Sequence, residues 1–129
     1  ALSSSLGHEM VVTALKRAIR RRRPNKGLIF HSDRGVQYAC GDFRKELAKH
    51  EFVQSMSRKG DCWDNAVAES FFAIMKTELV YHERYEGHQD SLHSIFEYIE
   101  VFYNRHRKHS TLGYLCPAEY EKQKLRLCA

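Results

Sequence analysis

A run of three apolar residues, Leu28, Ile29 and Phe30, constrains the fold of this chain more than any other feature. Pro24 and Gly27 precede the run and stop the helical pattern before it. A short, unbroken apolar run bounded by turn residues is typical of a strand buried on both faces, as in parallel sheets covered by helices. The sequence therefore predicts an α/β protein with this strand inside.

Most of the remaining chain has the apolar spacing of amphipathic helices. Helices are predicted at about residues 10–23, 39–50 and 65–81, along a stripe that ends near residue 104, and at about 118–124. Phe52–Gln54 is predicted to be a second short strand, Met56–Trp63 a loop, and Asp64 the N-cap of the third helix. Two apolar sets are predicted to be core: Val67, Phe71, Ile74 and Met75, and the stripe from Leu92 to Phe102. Residues 1–129 are predicted to form a single domain, mostly helical with about two short strands.

Basic residues are unevenly placed along the chain, whose net charge is +5. Seven lysines and arginines lie between Met10 and Ser32, with no acid among them. A second basic cluster occupies residues 105–109. Clusters of this kind fit nucleic acid, because each neutralised phosphate releases counterions. A solvated helix face explains them equally well, and Arg20–Arg23 would also complement the dipole at a helix end.

The four cysteines are irregularly spaced and contain no Cys-x-x-Cys pair, which argues against a zinc motif. No apolar stretch approaches the length of a membrane span, and the chain does not begin with a charged segment followed by an apolar one. Reduced thiols in a cytosolic protein are predicted, with no membrane partner.

Two acidic residues lie where chemistry is expected. Asp33 comes three residues after the predicted strand, at the carboxyl end where catalytic groups collect in open α/β sheets. Glu69 lies one turn into a predicted helix and shares a face with Lys76. From position alone, both carboxylates are equally compatible with ordinary roles, one in a turn and one on a solvated helix face.

Three separated motifs surround these residues. The first is HSDRGVQY at residues 31–38, and the second comprises SRKG at 57–60, DNA at 64–66, ESFF at 69–72 and KTE at 76–78. The third comprises YN at 103–104, Arg107, His109, LGY at 112–114 and Pro117. Together they resemble bacterial insertion-sequence transposases whose second reading frame encodes an integrase-like core of the DDE superfamily. The 35 residues between Asp33 and Glu69 are the separation typical of that family and of retroviral integrases.

The resemblance implies a ribonuclease-H-like fold and a polynucleotidyl transferase that cuts and joins DNA ends in the bacterial cytoplasm. Such cores bind two divalent ions, Mg²⁺ or Mn²⁺, through two Asp and one Glu. Asp33 would be the second Asp and Glu69 the Glu, both catalytic and both metal ligands. Lys76 matches a lysine expected near the scissile phosphate. Arg58, Lys59 and Arg107 are further candidates for binding DNA.

The family's first Asp lies on an earlier strand, and the comparison predicts an N-terminally truncated core that lacks three strands and that Asp. Asp33 and Glu69 would then hold one ion weakly or none, and the fragment alone is expected to have little strand-transfer activity. The Leu28–Phe30 strand would keep an unpaired edge, which predicts a homodimer or higher oligomer. Two other hypotheses stay open: a non-catalytic DNA-binding or interaction remnant of a transposase, and a nuclease of the same fold.

Overall fold

The computed structural model describes residues 1–3, 7–58 and 62–127. They belong to two compact units, residues 1–73 and residues 74–129, and each unit is described by itself. None of the described helices is both long enough and apolar enough to cross a membrane.

The first unit contains a two-stranded sheet and the helices that pack against it. Its elements are α1 (His8–Arg22), β1 (Ile29–Ser32), α2 (Val36–Ala39), α3 (Gly41–Lys49), β2 (Val53–Met56), a 3₁₀ turn (Cys62–Asn65) and the start of α4 (Ala66–Met75). β1 and β2 are parallel, with Ile29 opposite Val53 and Ser32 opposite Met56. Parallel strands need a crossover connection, which α2 and α3 supply here. A mostly helical α/β chain with two short strands is therefore confirmed. Each strand begins one residue later and ends two residues later than predicted.

The core of this unit lies between the helices and the sheet. Leu15 of α1, Phe43 and Leu47 of α3, and Phe52 before β2 are buried together. The Phe43 side chain is fully buried, and the Phe30 ring centroid lies 5.2 Å from its own. Aromatic rings in this edge-on arrangement add to the burial of apolar surface.

The prediction that β1 is buried on both faces is wrong. Ile29 is 67% exposed, and Leu28 is 44% exposed. Successive side chains of a strand point to opposite faces, so half-buried Phe30 and buried Ser32 share one face while Ile29 and His31 occupy the other. The core covers the first face alone, and the apolar run by itself carried no information about the second.

The predicted helix at residues 39–50 is confirmed as α3, and an additional short helix, α2, precedes it. Cys40 has extended backbone angles (φ −68°, ψ 152°) that end α2, and α3 begins at the next residue. The Cys40 sulfur accepts a hydrogen bond from the Phe43 backbone N–H at 3.4 Å, which is the contact that a serine N-cap usually makes. Cys40 is a free thiol, as is Cys116 in the second unit.

The second unit is helical. It contains a π-helical segment (Lys76–Val80), α5 (His88–Glu97), a second π-helical segment (Tyr98–Tyr103), a 3₁₀ turn (Ser110–Leu112) and α6 (Pro117–Leu127). Its most buried side chains are Tyr98 and Cys116. All five predicted helices are confirmed in position: α1, α3, α4 with the π-helical segment that continues it, α5 with the segment that follows it, and α6, which is longer than predicted.

The two predicted apolar core sets are only partly buried. The half-buried members are Phe71, Ile74, Met75, Ile95 and Ile99. Phe96 is 58% exposed on the predicted stripe of α5, and Val67 is 88% exposed on α4. Leu92 and Phe102 are also exposed. Helical spacing establishes that such residues share a face, but burial also needs a second element that covers the face. The core assignment was therefore wrong for the exposed members of each set and not for the half-buried ones.

Candidate active site

Asp33 lies directly after β1, at the carboxyl end of the sheet. Its carboxylate accepts a hydrogen bond from the Gly35 backbone N–H at 2.8 Å. This contact is an Asx-type turn, in which the side chain substitutes for a backbone acceptor. It fixes the orientation of one carboxylate oxygen while the residue remains exposed.

Glu69 lies in the first turn of α4 and is also exposed. Asp33 and Glu69 line the same cavity, whose volume is about 320 Å³. The other lining residues come from β1, α2 and the start of α4: Phe30, His31, Ser32, Tyr38, Asn65, Ala68 and Phe72. The two predicted carboxylates, with 35 residues between them in the sequence, therefore reach one concave surface.

Tyr38 connects this cavity to the core. Its ring lies 5.4 Å from the Phe43 ring, between centroids. Burial raises the pKa of the Tyr38 phenol, and the nearby negative charge of Asp33 raises that pKa further. The phenol is therefore a neutral hydrogen-bond donor at physiological pH. Sequence reasoning did not single out Tyr38, although it ends the HSDRGVQY motif.

His31 is held by two serines. Its Nδ1 lies 2.9 Å from the Ser55 hydroxyl oxygen, and its Nε2 lies 3.3 Å from that of Ser57. The Arg34 guanidinium donates to the Ser57 carbonyl at 2.8 Å. These contacts join the end of β1 to the segment that follows β2, and so they steady the turn that carries Asp33.

Arg58 and Asp64 are paired across the second motif. The Asp64 carboxylate accepts hydrogen bonds from the Arg58 backbone N–H at 2.9 Å and from its guanidinium at 3.3 Å. The hydrogen bond from Arg58 lowers the pKa of Asp64. The predicted N-cap role of Asp64 is wrong, because Asp64 lies inside a 3₁₀ turn and the residue before α4 is Asn65. Lys59, Gly60 and Asp61 of the predicted loop lie outside the described residues.

Two other candidates belong to the second unit. Lys76 is exposed and begins the first π-helical segment. Arg107 donates to both carboxylate oxygens of Glu78, with its Nη2 2.6 Å from Glu78 Oε1, and the Tyr98 hydroxyl donates to the same carboxylate at 2.7 Å. The roles of Lys76, Arg58, Lys59 and Arg107 in binding DNA stay predictions.

The Glu78–Arg107 pair joins a residue of the second sequence motif to a residue of the third. The hydrogen bond from Arg107 lowers the pKa of Glu78, and the bond from Tyr98 lowers it further. Burial and the charge of Arg107 lower the pKa of His109, so the imidazole is neutral beside the guanidinium. Sequence reasoning missed this cluster, although the KTE motif and the spacing of Arg107 and His109 were the signals available.

Loss of this pair is expected to destabilise the second unit in a pH-dependent way. Because the folded pKa of Glu78 lies below its ordinary value of 4.5, its stabilisation is complete above that pH and is lost as the pH falls through the lowered value. Glu78→Gln should cost about 1–2 kcal/mol at pH 7, discounted for partial exposure. The free energy of unfolding is measured by chemical denaturation from pH 7 to pH 3. The difference between wild type and Glu78→Gln should shrink as the pH falls below 4.5. Glu83→Gln, an exposed control in the same unit, should show no such trend.

The donor atoms of the cavity suit a hard cation. Carboxylate oxygens are the ligands that Mg²⁺ and Mn²⁺ prefer, and Mg²⁺ usually takes one or two of them together with water and phosphate oxygens. Asp33 and Glu69 supply two such groups. Among the described residues, no group of three or more His, Cys, Asp or Glu side chains is arranged to hold a metal ion.

These features define an α/β protein with a carboxylate-lined cavity at the carboxyl end of a short parallel sheet. Two family models, both described as an integrase core domain, match residues 1–62 and residues 69–125. The chain is 42% identical, over its full 129 residues, to an insertion element IS600 uncharacterized 31 kDa protein of Shigella sonnei. It is 38% identical, over 97% of its length, to the transposase InsF for insertion sequence IS3A of Escherichia coli (strain K12).

The chain belongs to the integrase core family of insertion-sequence transposases. It spans 47% of the Shigella relative and 43% of the Escherichia coli relative, which is about half the length of each.

Proposed function

We propose that this chain is part of the catalytic core of a DNA transposase, which cleaves and joins DNA ends by metal-assisted phosphoryl transfer. The observation that carries the proposal is that Asp33 and Glu69 line one cavity although 35 residues separate them. The family relationship supports the same function, and the parallel strands with their helical crossover fit a ribonuclease-H-like fold. In this proposal, both units are parts of a single partial core.

Asp33 and Glu69 are the residues that would hold Mg²⁺ or Mn²⁺. When bound, the ion supplies Lewis acidity that lowers the charge on a transferring phosphate and on the attacking or leaving oxygen. The hydrogen bond from the Gly35 N–H holds one oxygen of the Asp33 carboxylate in a fixed position. The neutral Tyr38 phenol is suited to donate a hydrogen bond to a phosphate oxygen in the cavity. In this proposal His31 positions the turn and does not bind the ion.

DNA is the proposed partner. Lys76, Arg58, Lys59 and Arg107 are proposed to contact its phosphates, because basic side chains provide most of the affinity for a polyanionic backbone. Arg58 and Arg107 would do so with the donors that their carboxylate partners leave unused, since a guanidinium has five.

The proposal is tested by Mn²⁺ binding to the 129-residue chain. Titration with the paramagnetic ion should broaden the amide resonances of Gly35 and Ala68, which lie beside the two carboxylates. Broadening that misses both amides would contradict the proposed site. DNA binding with no ion at the cavity would favour the alternative, a non-catalytic remnant that binds DNA.

A homodimer is part of the proposal, and the open face of the sheet is its proposed interface. Ile29 and Val53 are paired across β1 and β2, and they are 67% and 53% exposed. Light scattering at high protein concentration should detect a dimer, and Ile29→Lys should convert it to a monomer because a desolvated ammonium is costly. Val36→Lys, at an exposed position of α2, should leave the dimer intact. A strictly monomeric wild-type chain would contradict this part of the proposal.

A further inference from the structure

The outer face of α1 carries a concentration of positive charge that the cavity does not use. Arg17 and Arg20 are exposed, and with about 3.6 residues per turn they lie on the side of the helix opposite buried Leu15. Val12 and Ile19 pack against the core on the Leu15 side. The two arginines, called the basic face below, therefore point away from the packed interior of the unit.

Neighbouring basic residues have acidic partners, whereas the basic face does not. Lys16 lies 3.7 Å from Glu46, and Lys26 lies 2.5 Å from Glu51. Within the described ranges, no acidic side chain forms an ion pair with Arg17 or Arg20. Like charges one turn apart on a helix repel one another, so this arrangement slightly opposes helix formation. An external polyanion would remove that repulsion.

The helix dipole explains part of the charge but not all of it. Arg20 lies in the last turn of α1, where a cation is stabilised by the partial negative charge of the helix end. Arg17 lies on the N-terminal side of that last turn, and the effect of the dipole is confined to the last turn. The helix dipole therefore does not account for Arg17.

We propose that the basic face binds backbone phosphates of a DNA duplex, on a surface distinct from the carboxylate-lined cavity. The two positions are separated by about 4.5 Å along the helix axis, from the rise per residue. Phosphates of one strand follow at about 3.4 Å along a duplex axis, so long arginine side chains can contact neighbouring phosphates. The cavity lies at the carboxyl end of β1, whereas the end of α1 leads into the start of that strand.

This inference rests on the proposed function only for the identity of the polymer. It assigns a second DNA contact, which is independent of sequence and held by phosphates alone. A second contact would let the core hold a DNA segment other than the one whose phosphate enters the cavity.

The test is the salt dependence of duplex binding by the 129-residue chain, with a random-sequence DNA duplex as the probe. Arg17→Gln with Arg20→Gln should weaken binding roughly tenfold and lower the slope of log affinity against log salt by about 2, since each phosphate contact contributes about 0.9. The matched control is Arg44→Gln with Lys49→Gln, which removes two exposed charges from α3 that form no ion pair among the described residues. The control should change the slope little. Circular dichroism should show both variants folded.

Three outcomes would overturn the inference. One is an unchanged slope in the Arg17/Arg20 variant, and another is an equal loss in both variants, which would indicate diffuse attraction by net charge. The third is loss of binding to vesicles rich in phosphatidylserine with DNA binding unchanged, which would assign the basic face to a membrane surface. The salt dependence is measured without a divalent ion, so that it does not depend on occupation of the cavity. Failure of Mn²⁺ binding at the cavity and failure of the basic face are therefore separate results.

Discussion

Asp33→Asn and Glu69→Gln are each expected to remove the binding of Mn²⁺ at the cavity and, in a full-length transposase carrying this segment, to lower strand transfer roughly 10³-fold or more. Each substitution keeps the shape of the side chain but removes a negative charge that a hard cation requires. The Gly35 N–H should still have an oxygen to bond in the Asp33→Asn variant, so the turn should persist. The fold should therefore survive while the site is lost.

The measurements are Mn²⁺ broadening of the Gly35 and Ala68 amides and strand transfer of labelled element ends. Asp42→Asn is a suitable control, because Asp42 is an exposed acid on α3 that does not line this cavity. It should leave broadening at both amides unchanged. Retention of that broadening in either carboxylate variant would remove Asp33 or Glu69 from the proposed metal site.

Phe43→Ala is expected to destabilise the first unit by about 3–5 kcal/mol. Phe43 is fully buried, and its ring contacts those of Phe30 and Tyr38. Removing it would leave a cavity and would withdraw support from Tyr38, which lines the candidate site. Urea denaturation followed by the resolved amide resonances of the first unit measures the change. Val36→Ala, at a position 84% exposed, should change stability by no more than about 0.5 kcal/mol.

If the Phe43 variant loses less than about 1 kcal/mol of its free energy of unfolding, the neighbouring rings must move into the vacated space. The position of Tyr38 would then change, and its pKa should fall toward the ordinary value as water reaches the phenol. A large loss of stability with an unchanged Tyr38 pKa would instead mean that other contacts hold Tyr38 in the wall of the candidate site.

The local elements were predictable because they depend on neighbours in sequence. The apolar spacing of α1, the turn before Asp33 and the helix stop at Pro24 are all short-range signals. The short helix α2 was missed, and α3 begins two residues later than predicted, because a sulfur N-cap such as Cys40 is a weak signal for a helix start. The strands were located, but their burial was overestimated, since apolar character does not reveal how many faces are covered.

The sequence proposed the two acids of the candidate site but none of the contacts around them. Motif resemblance identified Asp33 and Glu69, and their positions after a strand and on a helix agreed with it. Tyr38 and the bonding of His31 to two serines depend on how β1, α2 and β2 pack together. The bond between Glu78 and Arg107 joins residues 29 positions apart, a distance over which no local pattern operates.

By itself, the sequence determined the type and approximate bounds of the main elements, the family and the two acids proposed for catalysis. Periodicity and motif spacing are properties of the sequence and do not depend on tertiary contacts. The tertiary structure alone decided that Asp33 and Glu69 line one cavity, that Ile29 and Phe96 are exposed, and that Arg107 bonds to Glu78. These outcomes depend on which faces other elements cover and on which distant groups meet, and both are settled only when the chain packs.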